Sequence, residues 1–125
     1  MSIEEKIPGI RVFDVDGEKC VAVGSRILSQ ADVNEISKIN NVSKILFYSI
    51  RFNVDSLACL EDTLVEHISV KHGNFSNKEF LQACNIPTIR VIDAYDTLVT
   101  DDCVEKINSD SPYISINVRS VQKHD

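Results

Sequence analysis

Val65-Glu66-His67-Ile68-Ser69-Val70, followed by Phe75-Ser76-Asn77-Lys78-Glu79-Phe80, is the stretch of this 125-residue sequence whose reading decides the fold. Apolar residues stand at the first, fourth and sixth positions of the first segment, a spacing that a short strand with one buried face supplies. The second segment opens with a serine that can cap a helix and a glutamate three residues later that can return the bond. A short strand therefore leads into a short helix, and neither can bury its apolar side alone.

Working outward, the same helix opening recurs at Ser29-Gln-Ala-Asp-Val33 and at Thr100-Asp-Asp-Cys-Val104, where Ser29 with Asp32 also has capping-box spacing. Ser76 and Thr100 are 24 residues apart, and Ser29 and Ser76 are 47 apart, room for one further copy. Val54-Asp-Ser-Leu57-Ala-Cys59-Leu60 occupies it. The same offsets align Val42-x-x-Ile45-x-Phe47, Val65-x-x-Ile68-x-Val70, Ile89-x-x-Ile92-x-Ala94 and Tyr113-x-x-Ile116-x-Val118, with a half-copy at Val21-x-Val23. Leu28, Phe75 and Val99 recur just before the capping residue. A period in the low twenties, one strand and one helix per unit, is the signature of a leucine-rich repeat. The expectation is an α/β solenoid of about five strands and four helices, with a parallel sheet on its concave side and helices on its convex side. Val12-Phe13-Asp-Val15, Asp16-Gly17 and Cys20-Val21-Ala-Val23 predict a tight hairpin capping the first repeat. One domain covers 1–125, as a cap over 1–17, repeats over 18–120 and a tail over 121–125. In this reading no helix covers the outer side of the final strand, which is then either blunted by its charged tail or paired with another protein.

The helix openings resemble the ribonuclease-inhibitor-like, cysteine-containing subclass of leucine-rich repeats known from ubiquitin-ligase substrate adaptors. The order from Lys19-Cys-Val-Ala-Val through Val42-Ser-Lys-Ile-Leu to Glu66-His-Ile-Ser-Val is similar to the short mitochondrial proteins of the ATP synthase subunit s and distal-membrane-arm assembly group. That second resemblance implies an accessory or assembly factor of an inner-membrane complex, located in mitochondria, with the cytoplasm as the alternative. The sequence departs from the standard repeat where Asn or Cys is usual. Arg26, Ile50, Gly73, Thr97 and Val121 stand there, so no asparagine ladder can form.

Alternation along the strands sends the residues between the apolar positions to the other face. Three rows follow: Cys20, Lys44, His67, Val91, Ser115; Ala22, Leu46, Ser69, Asp93, Asn117; and Gly24, Tyr48, Lys71, Tyr95, Arg119. Tyrosine and arginine carry a large share of binding energy at protein interfaces, so Lys44, Tyr48, His67, Lys71, Asp93, Tyr95, Asn117 and Arg119 form the candidate partner-binding face. The expected function is a non-catalytic scaffold for protein–protein interaction, acting as a monomer or as a subunit of a hetero-complex. A substrate-binding module of a ubiquitin-ligase adaptor, or a small α/β enzyme, are the alternatives.

Other chemistry finds little support. The net charge is −6 and basic residues are scattered along the chain, which argues against a nucleic-acid partner. No apolar run approaches the roughly 20 residues needed to cross a bilayer, so direct membrane insertion is not expected. Nucleophile elbows, phosphate-binding glycine loops and zinc-protease helices are absent, so no catalytic residue or cofactor is assigned. Cys20, Cys59, Cys84 and Cys103 form no Cys-x-x-Cys pair and read as reduced thiols of an intracellular core. His67 and His72, five apart, would face opposite sides of a regular strand. Asp93, Asp96, Asp101 and Asp102 suggest no metal, because Asp101 and Asp102 suit the first turn of a helix.

Overall fold

The protein is described by a computed structural model covering residues 3–119. Its elements in chain order are α1 (Ile3–Lys6), β1 (Ile10–Val15), β2 (Glu18–Ser29), α2 (Gln30–Ser37), β3 (Val42–Asn53), a 3-10 helix (Ala58–Asp62), β4 (His67–Gly73), α3 (Asn77–Cys84), β5 (Val91–Tyr95), α4 (Asp101–Asp110) and β6 (Ser115–Arg119). The strands form one six-stranded sheet in the order β1-β2-β3-β4-β5-β6, so each strand pairs with its neighbours in sequence. β1 runs antiparallel to β2, and every later pairing is parallel. The architecture is therefore α/β with a mostly parallel sheet. The tail over 121–125 and the turn position at Val121 lie outside the described residues.

The hairpin forms where Asp-Gly predicts it. Val15 pairs with Glu18, and Asp16 and Gly17 both have positive φ, 52° and 82°, as a two-residue turn of this kind requires. Ahead of it the short helix α1, which the sequence pattern did not announce, brings Ile7 into the core.

The expected apolar ladder is present. Val21, Ile45, Ile68 and Ile92 are in register, as are Val23, Phe47, Val70 and Ala94, and all eight are buried. They join Val33 and Ile36 of α2, Phe80 and Ala83 of α3 and Ile107 of α4 in a single cluster. Each fully buried aliphatic side chain there is worth roughly 1.5–3 kcal/mol relative to exposure. A second column, Leu28, Phe52, Phe75 and Val99, is buried too, with the rings of Phe52 and Phe75 5.5 Å apart. On β6 the corresponding Ile116 and Val118 are only half-buried.

Both capping boxes close. Ser29 Oγ accepts from the Asp32 N–H at 3.2 Å, while the Ser29 N–H donates to Asp32 Oδ2 at 3.0 Å. Glu79 Oε1 accepts from both the N–H and the hydroxyl of Ser76, at 2.8 and 2.6 Å, which satisfies a carboxylate only 7% exposed. Thr100 accepts from the Cys103 N–H at 3.4 Å, with no return bond from the thiol position. The second connection is a 3-10 helix because its opening residues carry no such box. Its amides are satisfied from other elements: Gln30 Oε1 accepts from Asp55 and Ser56, and Gln82 Oε1 from Leu57.

Two local features differ from the pattern. Tyr113 aligns with Val42, Val65 and Ile89 yet is 71% exposed, and Ile114 is buried in its place. Burying a phenol hydroxyl without a partner is costly, and the turn in which the Ile114 N–H donates to Ser111 O brings isoleucine inward. Gly73, not asparagine, stands at the turn position after β4's apolar residues, and the amide of Asn74, a residue further on, bonds the neighbouring strand. Asn74 Oδ1 accepts from the Phe52 N–H at 2.6 Å and its Nδ2 donates to the Phe52 carbonyl at 3.1 Å.

The period reappears in the backbone. Ser25, Ser49, His72 and Asp96 have φ of 50°, 54°, 59° and 56°, and they stand 24, 23 and 24 residues apart. Left-handed geometry is uncommon outside glycine and falls here at the same step within β2, β3 and β4 and directly after β5. Each left-handed residue interrupts strand alternation at the same level, so the register resumes in phase at Arg26, Ile50 and Gly73.

Candidate functional site

The sheet face opposite the core carries every candidate residue. Lys44 and His67 lie in register with Cys20, Val91 and Ser115. Asp93 and Asn117 lie with Ala22, Leu46 and Ser69. Tyr48, Lys71, Tyr95 and Arg119 lie with Gly24. The three observed rows agree with the three read from alternation, residue for residue.

Side-chain bonds then link neighbouring strands. Asp93 is the centre: its Oδ2 meets His67 Nε2 at 2.7 Å, and its Oδ1 accepts from Asn117 Nδ2 at 2.7 Å. One carboxylate thus ties β4, β5 and β6 together, and Ser69 beside it is buried. The Lys71 ammonium lies 5.9 Å from the centre of the Tyr95 ring, within cation–π range. Tyr48 is 53% exposed and packs edge-on against His72, ring centres 5.5 Å apart.

His72 departs from the expectation that it would face away from His67. Its φ of 59° breaks the alternation, so its ring reaches Tyr48 while Nδ1 meets Asp96 Oδ2 at 2.7 Å. Neither imidazole has a serine, threonine or cysteine side chain in hydrogen-bond contact among the described residues. No three His, Cys, Asp or Glu side chains gather at metal-binding distance among the described residues. Asp101 and Asp102 occupy the first turn of α4, where their charges favour the helix N-terminus.

The hairpin supplies residues that the repeat pattern did not single out. Phe13 pairs with Cys20 and Arg11 with Ala22, which places both on the open face. Phe13, Val15, Cys20, Lys44, Leu46 and His67, with Asp16 and Glu18 of the hairpin, line a concavity of about 390 Å³. The Asp-Gly turn carried the signal for this. A two-residue loop fixes the register, and register fixes which face Phe13 takes.

All four cysteines are free. Burial pushes the Cys84 thiol up to about 12, with the neighbouring Cys103 adding to the effect, and burial likewise raises Cys59 and Cys103. Only the thiolate is an effective nucleophile. Cys84 is therefore expected to resist alkylation at pH 8 in the native state and to react readily in urea, as mass spectrometry of labelled peptides will report. The native thiol keeps its proton between its ordinary value of 9.0 and about 12 while the unfolded thiol ionises, so the unfolded state binds fewer protons there. Stability should fall with rising pH across that window, and the Cys84→Val variant should fall less steeply. Equal slopes would contradict the assignment.

No helix among the described residues is long and apolar enough to cross a membrane. No family of proteins, curated protein or solved structure matches this chain.

Proposed function

We propose that this chain is a short leucine-rich-repeat-like scaffold whose open, concave sheet face docks a protein partner. The observation that carries the reading is the open face itself. Tyr48, Lys71, Tyr95 and Arg119 stand in register across β3 to β6, with Tyr48, Lys71 and Arg119 exposed. Aromatic side chains with cationic neighbours make effective interface anchors because they offer large area at little conformational cost.

The solenoid part of the reading draws support from three periodic features. Strands follow one another in sequence order, left-handed residues recur once per unit, and the helical side chains share a single core with one sheet face. Side-chain bonds between units also span about one period, as in His67–Asp93, His72–Asp96, Asn77–Thr100 and Asn117–Asp93. The resemblance to the subunit s and distal-membrane-arm group makes an accessory role in a mitochondrial inner-membrane complex the first setting to test. A ubiquitin-ligase adaptor is the second.

Affinity capture of the tagged chain from mitochondrial and cytosolic fractions, in parallel with the Lys71→Glu/Arg119→Glu variant, tests the proposal. The specific partner should be lost from the variant while its melting temperature stays within a degree or two, because exposed charges contribute little to folding. Undiminished capture by the double variant would sink the open-face reading.

A further inference from the structure

The open face has the opposite charge character from the rest of the molecule. The chain is net −6, and α4 alone carries Asp101, Asp102, Glu105 and Asp110 against Lys106. Yet register places Arg11, Lys44, Lys71 and Arg119 on one sheet face. Among the described residues, none of these four has a carboxylate at ion-pairing distance, whereas Lys6, Arg26 and Lys38 do. The central carboxylate of the face, Asp93, is already engaged by His67 and Asn117, and Asp96 by His72. Asp16 and Glu18 line the concavity beside Lys44 at the hairpin end of the face, where Glu18 accepts from the Ser43 hydroxyl at 3.0 Å, and neither lies in the row of Lys71 and Arg119.

Parallel strands lie about 4.8 Å apart, so the backbones at Lys71 and Arg119, two strands apart, are about 10 Å from each other, and the carboxylate next to them, Asp96, is engaged by His72. Apart from the contact of Lys71 with the Tyr95 ring, such an arrangement gains little for the isolated fold, since like charges repel and no carboxylate pairs with them. It gains on contact with anionic groups. We infer that the occupant of the open face is an acidic segment of a protein partner, laid across the Tyr48–Lys71–Tyr95–Arg119 row with its carboxylates on Lys71 and Arg119. This inference rests on the protein-docking reading of the same face.

Screening decides whether a net-negative protein can attract an acidic partner. At physiological salt the Debye length is about 8 Å, so the acidic helices contribute little at contact distance while the cations beneath the partner act at full strength. A nucleic acid is the less suitable anion. Its affinity scales with the number of phosphates neutralised, and domains that bind it are typically strongly basic, whereas this one has a pI near 5.0.

The test is selection from a random peptide display library on the full chain, counter-selected on Lys71→Glu/Arg119→Glu. Synthetic peptides from the winners are titrated by fluorescence anisotropy and mapped by amide chemical shifts, with a single-stranded oligonucleotide as the second anion. Enriched peptides should be net acidic, weaken about tenfold or more in the double variant and with added salt, and shift amides of β3 to β6. Neutral or basic peptides on the same face would overturn the acidic-partner inference and leave the docking reading standing. Peptides mapping to the helices, or no enrichment at all, would overturn both. Tighter binding of the oligonucleotide than of any acidic peptide would overturn the protein-segment assignment.

Discussion

Gly73→Ala is expected to destabilise the protein by about 3 kcal/mol or more, the upper end of what overpacking costs. Gly73 pairs with Ile50 across β3 and β4, and a Cβ there would overlap the Ile50 carbonyl oxygen. The obstacle is backbone, so no rotamer change relieves it. The two central strands must part, and the bonds flanking the left-handed pair Ser49 and His72 must lengthen. Gly24 provides the control. A Cβ at Gly24 meets nothing closer than the Tyr48 carbonyl oxygen at 3.8 Å, so Gly24→Ala should change stability by no more than about 0.5 kcal/mol. Urea unfolding of both variants reads the difference directly. A wild-type midpoint for Gly73→Ala would show that β3 and β4 do not approach as closely as described.

Phe80→Ala should cost about 3–5 kcal/mol, the usual range for deleting a fully buried ring. Phe80 is wholly inaccessible and sits where α3 meets the sheet, among the shared core residues of its own and adjoining units. Small domains have a total stability of about 5–15 kcal/mol, so this single change removes a large share. Leu81, its neighbour on the helix, is 39% exposed, and Leu81→Ala should cost far less, on the order of 1 kcal/mol. Thermal unfolding monitored by circular dichroism compares the pair. A loss below about 1 kcal/mol for Phe80→Ala would show that α3 does not seal the core through this ring.

Much of the sheet was legible because one rule was applied four times. The spacing of Ile45, Ile68, Ile92 and Ile116 set the register, and alternation then assigned Lys44, His67, Tyr48, Lys71, Tyr95 and Arg119 to the opposite face, where they are found. What escaped depends on events that a period does not encode. His72 turns toward Tyr48 only because its backbone is left-handed, and a lone histidine in sequence does not announce that. Tyr113 holds the right position in the alignment but its hydroxyl keeps it at the surface. The charge segregation escaped for a different reason. Lys44, Lys71 and Arg119 look scattered, but they lie 27 and 48 residues apart, about one and two periods, and that separation is what parallel pairing converts into neighbouring positions on one face.

Pairing every strand with its sequence neighbour also fixes how the chain searches for its structure. Each parallel pairing closes a loop of about one unit, and no pairing joins the two ends of the sheet. Loop-closure entropy grows only logarithmically with length and is met here in equal instalments. The sequence distance between touching strands would therefore stay constant if a unit were duplicated, so a lengthened sheet gains buried area without any more distant contact to find.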